Sequence, residues 1–284
     1  MTILPFPILR YFFSLFLCLF FFGSTHAQDL YNSQHSLEFA NYLFTSKQYQ
    51  LATQEYERVL FLGEKTDSIK LQIVRSLSLN NQKPQALQRA KSLYDHDFNN
   101  FPTAFSKHYV SDLFTLQDFT QLNYFLQQPN TLGRRAQVFC STSMFLHNLN
   151  WKGASLSTEL ARKEQMKETD FFEKMTFEGQ NIEYKSPLLA TTLSTFIPGT
   201  GKLYTGDWQD GIFSLLLVGG TAFQAYRGFK NKGVESIRGW VFGAIALGFY
   251  TGNIWGSFRS AKKYNNRKNA AFKTKVNDHF KKNF

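Results

Sequence analysis

The chain has 284 residues, a formal net charge of +11 and 17% aromatic residues led by 31 Phe, yet its mean hydropathy is only −0.30. That length suits one sizeable domain with a smaller one, and the pairing of many aromatics with low hydropathy excludes an evenly apolar chain in favour of apolar segments. Two cysteines, Cys18 and Cys140, exclude a disulfide framework.

The first 27 residues read as an export leader. Arg10 precedes the apolar run YFFSLFLCLFFFG, and Thr25-His26-Ala27 supplies a small-x-small cleavage site. The run is short for a spanning helix, which needs about 20 residues. Cys18 has no small residue before it and reads as part of that run. Cys140 then remains alone and is expected to be a buried thiol.

Residues 33–180 contain few Gly and Pro and place apolar residues at helical spacing. Leu37, Ala40, Leu43 and Phe44 form one stripe, and Ala52, Tyr56, Val59 and Leu60 a second. Ala40 and Ala52 are small where paired helices approach, and Tyr49 stands at the turn between them. Ala52 is echoed at Ala86, Leu122 and Ala154, at spacings of 34, 36 and 32. The pattern resembles the tetratricopeptide repeat, whose period is about 34 residues. The resemblance implies an array of helix pairs with a concave surface for a protein or peptide and no built-in chemistry. The packing residues it marks are Ala40, Tyr49, Ala52, Tyr56 and Ala86.

Composition changes near Ser186. Residues 211–226 and 239–258 carry no charge, so two membrane spans are expected near 211–227 and 239–258. Gly239 and Gly243 form one small-xxx-small pair, and Gly248, Gly252 and Gly256 continue at the same four-residue spacing, which lets another helix come close or lets two copies associate. Asn253 is the strongly polar residue of this stretch and is expected to hydrogen-bond to a partner helix. The last segment, 266–284, reads as a basic tail, since nine Lys and Arg face one Asp from Arg259 onward. A tail of this kind beside an apolar segment suits lipid phosphates rather than nucleic acid.

The heptapeptide FIPGTGK at 196–202 invites comparison with a phosphate-binding loop, G-x-x-x-x-G-K-[ST]. Phe196 stands where the first Gly is required and Leu203 where the hydroxyl is required, so nucleotide binding is not expected. Pro198, Gly199 and Gly201 read instead as a helix stop and tight bend. Asp207 and Asp210 read as helix-start carboxylates. No H-E-x-x-H, G-x-S-x-G or C-x-x-C occurs, and Asp95-His96-Asp97 reads as an exposed turn. No enzyme, cofactor or metal site is therefore expected.

One further resemblance covers residues 186–265. S-P-x-x-A, L-S-x-x-x-P-G-x-G-x-x-Y-x-G-x-x-x-D-G, G-N-x-x-G and S-A-x-K-Y-N resemble a C-terminal module of uncharacterised bacterial membrane proteins, distantly similar to the two-transmembrane-helix domain family. The matching positions include Pro198, Gly199, Gly201, Tyr204, Gly206, Asp210, Gly211, Gly252, Asn253, Gly256, Tyr264 and Asn265. Lys202 departs from the pattern, which often has Gln there. The resemblance implies exported repeats on a membrane module, without an established activity. The expectation is therefore an all-α chain: a tetratricopeptide-like array followed by a small helical membrane hairpin. It would serve as an interaction scaffold at the inner membrane, its repeats facing the periplasm. The alternative is an accessory subunit for membrane-protein assembly or transport, acting through the hairpin.

Overall fold

A computed structural model describes residues 32–284; the predicted leader over 1–27 lies outside the described residues. Among the described residues the chain is all α-helical, as expected, without strands. The helices are α1 (Ser33–Thr45), α2 (Tyr49–Phe61), α3 (Asp67–Leu79), α4 (Lys83–Ser92), α5 (Thr103–Leu116), α6 (Phe119–Gln127), α7 (Arg134–His147), α8 (Trp151–Lys163) and α9 (Thr169–Gln180). The C-terminal part adds α10 (Pro187–Phe196), α11 (Thr200–Tyr204), α12 (Trp208–Lys232) and α13 (Ile237–Asn283). By contact the chain divides inside α5 into one unit ending at Asp112 and a second beginning at Leu113.

In the first unit α1 packs on α2, α2 on α3 and α3 on α4. Ala40 and Ala52 are fully buried, which brings the α1 and α2 backbones close. Tyr56 is equally buried and donates its hydroxyl to Asn41 Oδ1 at 2.8 Å, so its polar end is satisfied inside the core. Tyr49 sets its ring edge-on to Phe44, with centroids 5.6 Å apart. Asp95 and His96 lie in a left-handed turn after α4, and Asp97 caps the short turn at Phe98–Asn100.

A recurring backbone device joins successive helices. Lys47, Asn81, Gln117 and Leu149 all have positive φ. Each is followed by an amide that reaches back five residues: Gln48 to Leu43, Gln82 to Leu77, Asp118 to Leu113 and Asn150 to Phe145. Each left-handed residue also donates three residues back, to Phe44, Ser78, Phe114 and Leu146 respectively. This is the Schellman closure of a helix C-terminus. The following helix then starts, and its fourth residue is Ala52, Ala86, Leu122 or Ala154, all fully buried.

In the second unit α7, α8 and α9 pack together, and α13 touches α7 as well as α10, α11 and α12. At 47 residues, α13 is about 70 Å long. Its last turns correct the expectation of a basic tail over 266–284. Phe272, Val276 and Phe280 lie four residues apart and are buried. Phe280 stacks on Phe114 at 3.7 Å and lies 5.6 Å from Phe139, while Phe272 meets Trp151 edge-on at 5.4 Å. The charge count of this segment concealed an apolar stripe that gains more from burial than its lysines gain from a free tail.

The two predicted spans are also corrected. No helix among the described residues is long and apolar enough to cross a membrane. Freedom from charge is not hydrophobicity: glycines, threonines, Gln224 and Asn253 dilute the apolar content of 211–227 and 239–258. α12 and α13 nevertheless pack as a helical hairpin, joined through the short turn at Gly233–Glu235.

Burial in this unit sets a pH dependence. His147 is 1% exposed, packed against Phe119 at 4.9 Å, and neither ring nitrogen has a hydrogen-bond partner among the described residues. Burial, with a smaller contribution from the Lys273 charge, pushes its pKa down from 6.5 to about 4. Burial also lowers His279, which stacks on Phe171 at 3.5 Å. The folded state resists protonation, so His147 contributes fully above pH 6.5 and its contribution is lost as pH falls toward 4. Urea midpoints are therefore expected to fall between pH 7 and pH 4.5, with roughly 3 kcal/mol at stake from this residue. His147→Phe is expected to flatten that dependence; an equally steep profile would contradict the assignment.

Candidate functional site: a buried polar seam in the C-terminal module

The bend at 196–206 is held by side chains from α10 and α13. Ser186 caps α10, with its Oγ accepting the Leu189 amide at 3.2 Å, and Pro187 occupies the first turn, where no amide partner is needed. Pro198 follows the end of α10. Gly199 has φ +91°, and a Cβ there would fall 2.0 Å from the Gly211 carbonyl oxygen. A Cβ at Gly201 would fall 1.9 Å from the Ala190 carbonyl oxygen. Only glycine fits either place, so Gly199, Gly201 and Gly211 bring three backbones together.

The same bend explains why FIPGTGK is not a phosphate loop. The Gly199 amide donates to Asn253 Oδ1 at 3.0 Å, and the Gly201 amide donates to Ser194 Oγ at 2.9 Å. Amides that a phosphate loop would turn toward its ligand are already occupied by side chains.

Along α13, Asn253, Ser257 and Ser260 lie at i, i+4 and i+7 and are buried. Ser257 and Ser194 share a hydrogen bond at 2.6 Å, and Thr205 and Ser260 share one at 2.5 Å. Ser260 donates to Asp207, whose other oxygen lies 3.5 Å from the Arg267 guanidinium. Asp207 is thus committed to α13 and makes no side-chain cap on α12, contrary to the sequence expectation. Asp210 does lie in the first turn of α12.

A clamp closes the far end of the seam. Asn265 exchanges two hydrogen bonds with the Lys185 backbone, at 2.8 Å to its amide and 2.9 Å to its carbonyl. The Tyr204 hydroxyl accepts the Ser186 amide at 3.3 Å, and the Lys185 ammonium lies 4.7 Å from the Tyr204 ring and 6.0 Å from that of Tyr264. Gly206 closes the turn before α12 at φ +84°, with open space on its Cβ side.

The two glycine rows of α13 divide: Gly239, of the expected Gly239/Gly243 pair, lies at a helix contact, while the series Gly248, Gly252 and Gly256 does not. The close approach of α12 to α13 occurs at Gly228 and Gly239, where a Cβ on Gly228 would fall 2.6 Å from the Gly239 amide nitrogen. Gly248 and Gly252 instead face open space, and Gly256 makes room for the Lys202 side chain, whose Cε would lie 3.1 Å from a Cβ there. The reason is register: the seam residues of α13 point toward α10 and α11, and this glycine row lines a gap between α12 and α13 instead of a helix contact.

Other polar groups offer no comparable site. Asp112 accepts from Ser78 and from Lys83, and His108 Nε2 lies 3.2 Å from Ser78 Oγ and 3.4 Å from the Asp112 carboxylate. Sequence reading missed this grouping, because its members lie on three helices. It resembles a hydrolase triad only in residue types: the hydroxyl and carboxylate meet the same ring nitrogen, so no relay runs through the ring. Cys140 is fully buried, and burial pushes its thiol pKa well up. Among the described residues no cluster of His, Cys, Asp or Glu is placed to hold a metal ion.

No family model, no curated protein and no solved structure matches the chain.

Proposed function

We propose that the chain is a non-catalytic interaction scaffold of a bacterial envelope, seated in lipid through its C-terminal module. The observation that carries this reading is an apolar belt on α10, α12 and α13. Phe196, Phe213, Leu216, Trp240 and Leu247 are each more than 60% exposed, amid further exposed Leu, Ile and Trp. A surface this apolar calls for a covering phase. Cations flank it: Arg227, Lys230, Lys232 and Arg238 at one end, Lys202, Arg259, Lys262 and Lys263 at the other. Apolar bodies edged by Lys, Arg and Trp suit a lipid interface, where the charges reach headgroups.

The docking of Phe280 on Phe139 supports an insertion from one side, since it keeps the end of α13 with α7. The predicted leader and the resemblance of the module support the periplasmic side for the helical array. There, a groove of about 430 Å³ between α8 and α9, edged by Phe177, Glu159 and Arg162, offers a place for a protein or peptide segment.

Vesicle flotation of the full chain tests the lipid reading. The wild type is expected to float with phospholipid vesicles. The quadruple variant Phe213→Ser, Leu216→Ser, Trp240→Ser, Leu247→Ser changes only exposed side chains and is expected to lose about tenfold or more of the bound fraction. Equal flotation of both proteins, or none by the wild type, would overturn it.

A further inference from the structure

Beside the seam, α12 and α13 leave a cavity of about 210 Å³ with one polar end. At that end Lys202 Nζ donates to Ser214 Oγ at 2.8 Å, and Ser214 in turn donates to the Asp210 carbonyl at 2.8 Å. An ammonium has three donors. Ser214 engages one of them, and among the described residues no carboxylate forms an ion pair with Lys202. The neighbouring Asp207 is engaged by Ser260 and Arg267, and the Asn253 amide oxygen by Gly199. The ammonium is therefore a cation with unspent donors at the polar end of a cavity whose other polar groups are already occupied.

The rest of the cavity is hydrocarbon-like. Leu217, Val218 and Phe249 form its walls, and Gly248 and Gly252 leave its floor open: among the described residues, no atom beyond their own helix backbone and immediate chain neighbours lies within 4 Å of where their Cβ would be. Leu217 and Phe249 continue onto the exposed belt. One end thus attracts an anion while the other favours an alkyl chain.

We infer that this cavity is a binding site for an amphiphile whose phosphate headgroup has a net negative charge, the phosphate against Lys202 and the chain along the floor at Gly248 and Gly252. The inference rests on the seating of the module in lipid proposed above. At 210 Å³ the cavity takes the headgroup and the start of the chain, and the remainder lies on the belt.

Native mass spectrometry of the full chain, taken from mixed phosphatidylcholine and phosphatidylglycerol vesicles, tests it. The wild type is expected to retain phosphatidylglycerol about tenfold over phosphatidylcholine, whose phosphate is already neutralised by its own trimethylammonium group. Lys202→Gln, which keeps a donor for Ser214, is expected to bring the two lipids to parity with an unchanged melting temperature. Gly252→Leu, placed in open space, is expected to expel both lipids from the groove while the protein still floats with vesicles. An undiminished preference in Lys202→Gln would overturn the inference. So would inorganic phosphate binding with the same affinity in Gly252→Leu, which would make this a free-phosphate site. A change of oligomeric state in Gly252→Leu without lipid loss would instead make the groove a contact between copies. Flotation separates the two levels: a wild type that floats on both lipids without a preference sinks only this inference, and one that floats on neither sinks the seating as well.

Discussion

Gly201→Val is expected to lower the stability of the C-terminal module by about 3 kcal/mol or more, among the largest effects of any single change in the chain. The added Cβ would lie 1.9 Å from the Ala190 carbonyl oxygen and 2.7 Å from Ser194 Oγ. Neither can yield without cost: the carbonyl belongs to α10, and the hydroxyl accepts the Gly201 amide and pairs with Ser257. Valine would separate α10 from α11 and leave buried donors unpaired, each at about 1–3 kcal/mol. Gly199→Ala is expected to act similarly, since its φ of +91° disfavours any side chain and the Gly211 carbonyl blocks the space. Gly252→Ala is the control. Its Cβ meets nothing, so helix propensity alone predicts a neutral or slightly stabilising result, within about 1 kcal/mol. Thermal unfolding of the full chain in neutral detergent reads all three. Near-equal midpoints for Gly201→Val and Gly252→Ala would refute the seam.

What could be read in advance follows from what is locally expensive. The bend at Pro198-Gly199-Thr200-Gly201 and the lone Asn253 stand out because Gly, Pro and amide side chains are costly in apolar helices. What each polar residue binds could not be read, because the partners lie far apart in sequence. Asn253 and Gly199 are 54 residues apart, and Asn265 and Lys185 are 80 apart. The inter-helix turns were hidden for another reason. Left-handed closures usually announce themselves with glycine, but here Lys47, Gln117 and Leu149 take that backbone, and only Asn81 is a customary residue for it. The buried Ala and Leu positions were visible through their spacing; the backbone device that fixes the spacing was not. Charge counting misled at both ends of α13, where an uncharged stretch proved too dilute to cross a membrane and a charged one proved to carry a buried apolar stripe.

Phe280→Ala is expected to release the end of α13 from the helical array. The side chain is 2% exposed and is surrounded by aromatic rings: Phe114 at 3.7 Å, Phe284 at 4.9 Å and Phe139 at 5.6 Å. Truncation leaves a cavity among rings that cannot collapse easily, a loss of about 3–5 kcal/mol. Phe280→Leu keeps much of the volume and should cost clearly less, about 1–2 kcal/mol. The local consequence is as informative as the global one. Lys273, Lys275, Lys281 and Lys282 lie on this segment, so its release should hasten tryptic cleavage there while Lys202 and Lys230, in the module, keep their protection. Limited proteolysis with mass detection distinguishes the cases. Uniform acceleration at every site would mean that the whole unit unfolds together; unchanged cleavage after Lys273 would mean that the aromatic stack does not hold the helix. Selective release would make α13 a single strut whose two ends serve different purposes. One end is fixed by a polar seam that cannot slide without leaving amides unpaired, and the other by an apolar stack. A strut held in this way keeps the lipid-facing module and the helices Arg134–Gln180 in fixed register, which an interaction scaffold requires of its anchor.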